Sequence, residues 1–154
     1  MSMIEKITSK ENMTKAYLHV MRNDGASGVD GMELSQLKSY LHSTWKRTKA
    51  EVENGNYLPK AIKGVEIPKS NGKTRLLGIP TVQDRLLQQA AYQILMPIFE
   101  KDFQTHSYGF RPNRNAHQAV RQSLHNINEG YRAANRQDIV DIDLKSFRFG
   151  GPIR

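Results

Sequence analysis

The sequence GVEIPKSNGKTRLLGIP, at residues 64–80, holds two short apolar and basic runs on either side of Ser70, Asn71 and Gly72. An Asn-Gly pair between two β-prone runs is the strongest short-range signal of a hairpin, because both residues tolerate the positive φ that tight hairpin turns need. The stretch therefore predicts a two-stranded basic β-hairpin over about residues 65–79.

Helical patterns lie on both sides of this hairpin. Apolar residues recur at helical spacing in four stretches, at residues 13–21, 34–52, 84–98 and 116–127. Thr81 precedes Asp84 by three residues, which predicts a capped start for the third helix. We expect Pro97 to kink that helix or end its regular hydrogen bonding, and Gly130 to close the fourth. Helices plus a hairpin predict an α+β chain.

The composition describes a basic, polar chain. Among its 154 residues, 23 Lys and Arg stand against 15 Asp and Glu, which gives a net charge of +8. The excess lies in two blocks, residues 44–75 and 101–136, so a polyanion is the first partner to consider. A solvated basic surface explains the same charge equally well.

Several function classes are excluded or disfavoured by what the sequence lacks. It contains no cysteine, which rules out disulfides, thiolate zinc sites and cysteine nucleophiles. It has no run of about 18 apolar residues and no apolar block near the N-terminus, so neither a membrane span nor a secretory signal is indicated. A cytoplasmic location is the resulting expectation.

Two carboxylates stand near the end of the sequence, in the stretch DIVDID at residues 138–143. Asp141 and Asp143 are two apart, so both side chains lie on one face if the stretch is a strand. A pair of carboxylates at a strand end suits Mg²⁺, which prefers carboxylate and phosphate oxygens. Helix caps and solvated turns are the alternative uses of such aspartates.

Four blocks of sequence follow one another in an order that is highly specific. They are NDGASGVDG at 23–31, YLPKAIKGVEIPKSNGKTRLLGIPT at 57–81, DRLLQQAAYQILMPIFEKDFQTHSYGFRPNRNAHQAV at 84–120 and IVDIDLKSF at 139–147. In this order they resemble the N-terminal blocks of bacterial group II intron-encoded reverse transcriptases, the intron maturase family. The resemblance covers nearly the whole chain.

The resemblance implies a fold and a set of site residues. The fold is the fingers of a right-hand polymerase over residues 1–137, followed by the first palm strand at 138–147 and a tail at 148–154. Asp143 corresponds to the first catalytic aspartate, which binds Mg²⁺, and Leu144 lends its backbone carbonyl to the nucleotide. Lys69 and Arg75 correspond to the residues that hold the phosphates of the incoming dNTP. An exposed hairpin charge with no ligand is the alternative for each of these two.

The resemblance also implies contacts with an RNA template. The loop at 23–31 is expected to lie over the template backbone, where small residues would let N–H groups approach phosphates. Tyr108 and Phe110 either pack beneath the fingers or stack on bases. Charged and loop residues expected to bind the template are Asn23, Gly25, Gly28, Gly31, Lys63, Arg111 and Arg114.

The sequence departs from the family after Phe147. An aromatic residue is expected at position 148, where this chain has Arg148, and no Tyr-x-Asp-Asp sequence is present. We therefore expect the intact parent to copy RNA into DNA, and its expected partners are an RNA template, a DNA primer, dNTP and group II intron RNA. The fragment by itself is expected to be inactive. The alternatives are an RNA-binding module without catalysis and a domain that forms a homodimer.

Overall fold

The computed structural model describes residues 1–70, 72–134, 140 and 142. The chain divides into two compact units, one formed by residues 1–97 and one that begins at Ile98. In chain order the described elements are α1 (Met3–Ile7), α2 (Lys10–Arg22), α3 (Leu34–Glu53), β1 (Lys63–Pro68), β2 (Thr74–Ile79), α4 (Val82–Phe99) and α5 (Ala116–Ala134). Helices with a small antiparallel sheet agree with the predicted α+β class, and the assignment to polymerase fingers stays a prediction.

The core of the first unit lies between α2, α3 and α4. Leu37 of α3 and Leu86 of α4 are almost completely buried. Around them pack the other buried apolar residues of the cluster, which are Met13, Ala16, Val20, Val82, Leu87 and Ala90. These positions follow the apolar spacing of the sequence, because burial of one helical face is what such spacing reflects. The three helices thus form the scaffold that carries the loops and the hairpin.

The short helix α1 was not predicted. Ser2 caps its first turn by accepting a hydrogen bond from the backbone N–H of Glu5, and the Glu5 carboxylate accepts the N–H of Ser2 in return. Behind it, the buried Thr8 hydroxyl bonds to Glu53 Oε1 at 2.9 Å and joins this segment to the end of α3. Five residues are too few for a periodic apolar pattern to reveal a helix.

The hairpin forms where the sequence predicts it. Strands β1 and β2 pair antiparallel, with Ile67 opposite Arg75 and Lys63 opposite Ile79. At the turn, Lys69 N–H donates to the carbonyl of Lys73 at 2.6 Å, and Gly72 has a φ of +77°. The buried apolar core of the described residues includes no hairpin residue, so the hairpin extends from the helices as an arm.

The start of α4 agrees with the prediction, and the helix continues for two residues beyond Pro97. Thr81 Oγ1 accepts the backbone N–H of Asp84 at 3.2 Å, which caps the helix as its sequence spacing indicates. The helix includes Pro97 and continues to Phe99. Ile98, the last residue of the predicted apolar stripe, is exposed.

The second unit corrects one boundary. The prediction that Gly130 closes the last helix is wrong, because the described part of α5, Ala116–Ala134, passes through Gly130. A glycine inside a helix costs only about 1 kcal/mol relative to alanine, and the alanines that follow it favour continuation. The apolar residues of α5 that define its stripe are exposed, namely Val120, Leu124 and Ile127.

The predicted palm strand at 138–147 and the tail at 148–154 lie outside the described residues, except for positions 140 and 142. Within the part of the chain that the structure describes, no helix is both long enough and apolar enough to cross a membrane.

Candidate nucleic-acid interface

The loop at 23–31 is anchored to the start of α4 by Arg85. The Nη2 atom of Arg85 donates to the carbonyl oxygens of Gly25 at 3.3 Å and Ala26 at 2.7 Å. A Cβ added to Gly25 would lie 2.1 Å from Arg85 Nη1, so a larger residue would displace the guanidinium. Gly25 therefore lets the Arg85 guanidinium pack in the space that a side chain would occupy.

Two further positions of this loop require glycine, each for a different structural reason. A Cβ at Gly28 would lie 2.7 Å from the backbone Cα of Thr81, which leaves room for hydrogen only. Gly31 has a φ of +66°, which strains any residue with a side chain. Asn23 ends α2, where its backbone N–H bonds to the carbonyl of His19. The contacts of Asn23, Gly25, Gly28 and Gly31 with a template stay predictions.

A buried carboxylate at Asp84 connects this loop region with the chain that leads into the hairpin. Asp84 is 3% exposed and accepts hydrogen bonds from the Tyr57 hydroxyl at 2.6 Å, the Lys60 N–H at 3.2 Å and the Thr81 hydroxyl at 2.5 Å. Burial, with the hydrogen bond to Asp84, raises the pKa of Tyr57 well above its usual range, so Tyr57 stays a donor. The Nζ atom of Lys60 also pairs with Asp30 of the loop at 3.3 Å.

The cations of the hairpin lie on one of its two faces. Residues paired across antiparallel strands share a face, so Lys63 and Arg75 lie on the face that also carries Ile67. Side chains alternate between the two faces along β1, so Lys69, two residues after Ile67, lies on the same face at the turn. Glu66 is the only acidic residue from 63 to 79 and belongs to the opposite face. We call the face with Lys63, Lys69 and Arg75 the cationic face; all three residues are exposed.

In the second unit, Arg111 organises the loop before α5. Its guanidinium binds Glu100 through Nε at 3.0 Å and Nη2 at 2.7 Å, and Nη1 donates to the carbonyls of Gln104 and Ser107. The Arg111 side chain is 6% exposed, and these hydrogen bonds lower the pKa of the Glu100 carboxyl. All three guanidinium nitrogens of Arg111 thus bond to groups of its own chain. This geometry does not test the predicted contact of Arg111 with a template.

The aromatic residues beside Arg111 differ from each other in exposure. Phe110 is fully exposed and has a φ of +56°, an unusual conformation for a residue with a bulky side chain. The Tyr108 ring is half-buried, with the guanidinium carbon of Arg114 5.3 Å from its centroid. The Tyr108 ring thus contacts the protein on one side and the Phe110 ring lies in solvent, and stacking of either ring on a base stays a prediction.

The predicted catalytic and metal-binding residue Asp143, together with Leu144 and Asp141, lies outside the described residues. Among the residues that are described, no group of three or more His, Asp or Glu side chains is placed to hold a metal ion.

Comparison with known proteins identifies the family. Residues 67–149, more than half of the chain, match the family described as reverse transcriptase (RNA-dependent DNA polymerase). The chain belongs to this family. The matched range begins in the last two residues of β1 and includes the turn with Lys69, strand β2 with Arg75, residues 100–111 and α5.

The relatives agree with the group II intron assignment. The chain is 36% identical to protein YkfC of Escherichia coli over 94% of its own length and 38% of that protein. It is 36% identical to the group II intron-encoded protein LtrA of Lactococcus lactis over 69% of its length, and 36% identical to the nuclear intron maturase 1 of Arabidopsis thaliana over 49%. It spans 18% of LtrA and 12% of the maturase. The resemblance to group II intron reverse transcriptases and maturases is therefore confirmed.

Three residues that organise these loops were missed as individual sites. Arg85, Glu100 and Tyr57 bind partners that are 59, 11 and 27 positions away in the sequence. Arg85 and Glu100 do stand in the DR and PIFE blocks that carry the resemblance, which is the signal that could have pointed to them.

Proposed function

We propose that this chain binds an RNA template with its DNA primer and holds the incoming dNTP through Lys69 and Arg75, as part of an RNA-directed DNA polymerase. The observation that supports this most is the hairpin. It extends from the core with its cations on one face and its only acid on the other. A Lys point charge and an Arg fork on such an arm suit the oxygens of a triphosphate.

The template contacts belong to the loop at 23–31, Lys63, Arg111 and Arg114. Anchoring by Arg85 and by the Lys60–Asp30 ion pair gives the 23–31 loop a defined backbone, so that its N–H groups can meet phosphates without first paying the entropy of ordering. For the whole protein we propose group II intron RNA as a partner and the bacterial cytoplasm as its location. Residues 1–137 are its fingers, and Asp143 is one ligand of Mg²⁺. When bound, Mg²⁺ would stabilise charge on the reacting phosphates.

The 154 residues contain no Tyr-x-Asp-Asp sequence, and we expect them not to extend a primer by themselves. A single catalytic aspartate is not sufficient for two metal ions that clamp the entering and leaving oxygens. Primer extension by the purified chain would contradict this part of the proposal.

The nucleotide role is tested by fluorescence anisotropy with a labelled RNA template–DNA primer duplex, with and without the matched dNTP. We expect the dNTP to tighten binding, and Lys69→Gln or Arg75→Gln to weaken that dNTP effect about tenfold, since each removes a charge-assisted hydrogen bond. Lys38→Gln, an exposed cation on α3, is the control with the same loss of charge.

The RNA-binding module and the homodimer are separate outcomes of the same experiments. Tight, salt-sensitive binding that ignores both the dNTP and the hairpin variants would replace the polymerase proposal with an RNA-binding module. Light scattering decides the oligomeric state, because a dimer has twice the 17.6 kDa mass of the chain.

A further inference from the structure

A groove with strongly basic character lies in the second unit, between the loop that precedes α5 and α5 itself. Its volume is about 380 Å³, and its lining consists of Tyr108, Arg114, Gln118, Arg121, Gln122 and His125. We call it the α5 groove. It is far in sequence from the hairpin.

The lining residues of α5 share one face of the helix because of their spacing. Gln118, Arg121, Gln122 and His125 follow one another at intervals of three, one and three residues, which places them side by side along one side of α5. The opposite wall is Arg114, whose guanidinium carbon stands 5.3 Å from the centre of the Tyr108 ring. This stacking limits the freedom of Arg114 before any ligand arrives.

Among the described residues, no Asp or Glu side chain lines the α5 groove. The Glu100 carboxylate outside the lining lies close enough to Arg114 for this arginine to help lower the pKa of Glu100. In the described part of the chain, Arg121 is exposed and has no carboxylate within ion-pair distance. Two guanidinium groups, an imidazole and two amides can all donate hydrogen bonds, although Gln122 already donates to Asn126 at 2.8 Å. A concave surface with this donor set selects an anion with several oxygens.

We propose that the α5 groove binds a phosphodiester group of a nucleic-acid strand, with Arg114 and Arg121 as its charged ligands. This inference deepens the proposed function and depends on its nucleic-acid binding. Planar guanidinium forks match phosphate oxygens, and the amide of Gln118 can reach a neighbouring sugar or base edge. The groove is therefore a second anchor for the strand, distinct from the dNTP contacts at Lys69 and Arg75.

The test compares Arg121→Gln with Lys38→Gln, which removes the same charge from an exposed position on α3. Binding of the full chain to a labelled single-stranded RNA is measured across a salt series by fluorescence anisotropy. We expect Arg121→Gln to weaken binding several-fold and to reduce the slope of log K against log salt by about 0.7, the value for one lost phosphate contact on a single strand. Arg121→Lys, which keeps the charge, retains the slope.

Two further arms locate the effect. Gln118→Glu puts a negative charge into the α5 groove without removing an arginine, and we expect it to weaken binding at least as much as Arg121→Gln. A DNA strand of the same sequence, measured in parallel, shows whether the phosphate belongs to the RNA template or to the primer. A similar loss of affinity for both strands identifies the phosphodiester alone as the ligand.

The result that overturns this inference is wild-type affinity and wild-type slope for both Arg121→Gln and Gln118→Glu, in a chain that binds RNA. Thermal melting of each variant confirms that it is folded. Failure of the dNTP site has a different signature: Arg75→Gln leaves dNTP-dependent binding unchanged while the α5 groove variants still weaken RNA binding. Absence of any RNA binding by the wild-type chain overturns both proposals.

Discussion

Arg111 and Glu100 form a two-pronged ion pair, with Nε and Nη2 of the arginine 3.0 Å and 2.7 Å from the same carboxylate oxygen. The pair joins the end of α4 to the loop with the sequence SYGFRP, and the same guanidinium also holds two carbonyl groups of the intervening chain. Phe103 lies against it, 5.2 Å from the guanidinium carbon. One arginine therefore fixes the conformation of residues 100–111.

This ion pair predicts an acid-sensitive loop. Because Arg111 lowers the folded-state pKa of Glu100, the pair stabilises the loop above the ordinary glutamate pKa, and this stabilisation disappears as the pH falls through the lowered value. Limited proteolysis between about pH 7 and pH 3 should show cleavage near residue 105 increasing with acidity. Glu100→Gln should be cleaved readily at every pH, and a variant with the wild-type pH profile would contradict the assignment.

Tyr57→Phe tests the buried carboxylate at the start of α4. The substitution removes the 2.6 Å hydrogen bond to Asp84 and changes little else in the packing. We expect the free energy of unfolding in urea to fall by about 1.5–3 kcal/mol, the range for a hydrogen bond to a charged group. Tyr92→Phe on the exposed side of α4 is the matched control and should leave the midpoint unchanged. Equal free energies of unfolding for the two variants would show that the hydrogen bond between Tyr57 and Asp84 does not stabilise the fold.

Gly28→Ala tests the close contact between the 23–31 loop and α4. The new Cβ would meet the Thr81 backbone at 2.7 Å, so either the loop moves away or the helix start distorts. We expect a loss of about 1–3 kcal/mol in thermal or urea unfolding, as for overpacking in a core. At Gly109 the same substitution meets no atom within 4 Å and should be nearly neutral. Equal free energies of unfolding for Gly28→Ala and Gly109→Ala would show that the close contact between Gly28 and Thr81 is absent in solution.

Phe110→Ala tests whether the exposed ring serves nucleic-acid binding. A fully exposed ring contributes little to stability, so the unfolding midpoint should stay at the wild-type value. If the ring stacks on a base, the affinity for single-stranded RNA falls by about 1–3 kcal/mol in anisotropy measurements. Val120→Ala, another exposed apolar residue, is the control. Wild-type RNA affinity for Phe110→Ala would assign the ring no role in binding.

Local sequence chemistry was sufficient to predict much of the fold. Asn71 and Gly72 between β-prone runs predicted the hairpin, and the spacing of Thr81 and Asp84 predicted the capped start of α4. Each signal depends on neighbouring residues alone, so it can be evaluated without tertiary structure. The end of α5 was predicted wrongly at Gly130, because a glycine stops a helix only where the following chain gains by leaving it.

The candidate site was predicted less completely, for a physical reason. The resemblance pointed to the 23–31 loop and to Lys69 and Arg75, whereas the residues that hold these segments in place were missed. Arg85 binds carbonyl groups about sixty positions earlier, and no periodicity encodes such a contact. The α5 groove was missed as a site because its two walls meet only in the folded chain.

Lysine footprinting tests most directly whether the cationic face of the hairpin contacts a bound nucleic acid. The chain is acetylated with and without an RNA template–DNA primer duplex and matched dNTP, and each lysine is quantified by mass spectrometry. We predict strong protection of Lys63 and Lys69, with Lys38 on α3 modified equally in both samples. Equal modification of Lys63 and Lys69 in a sample whose duplex is shown to be bound would contradict the claim.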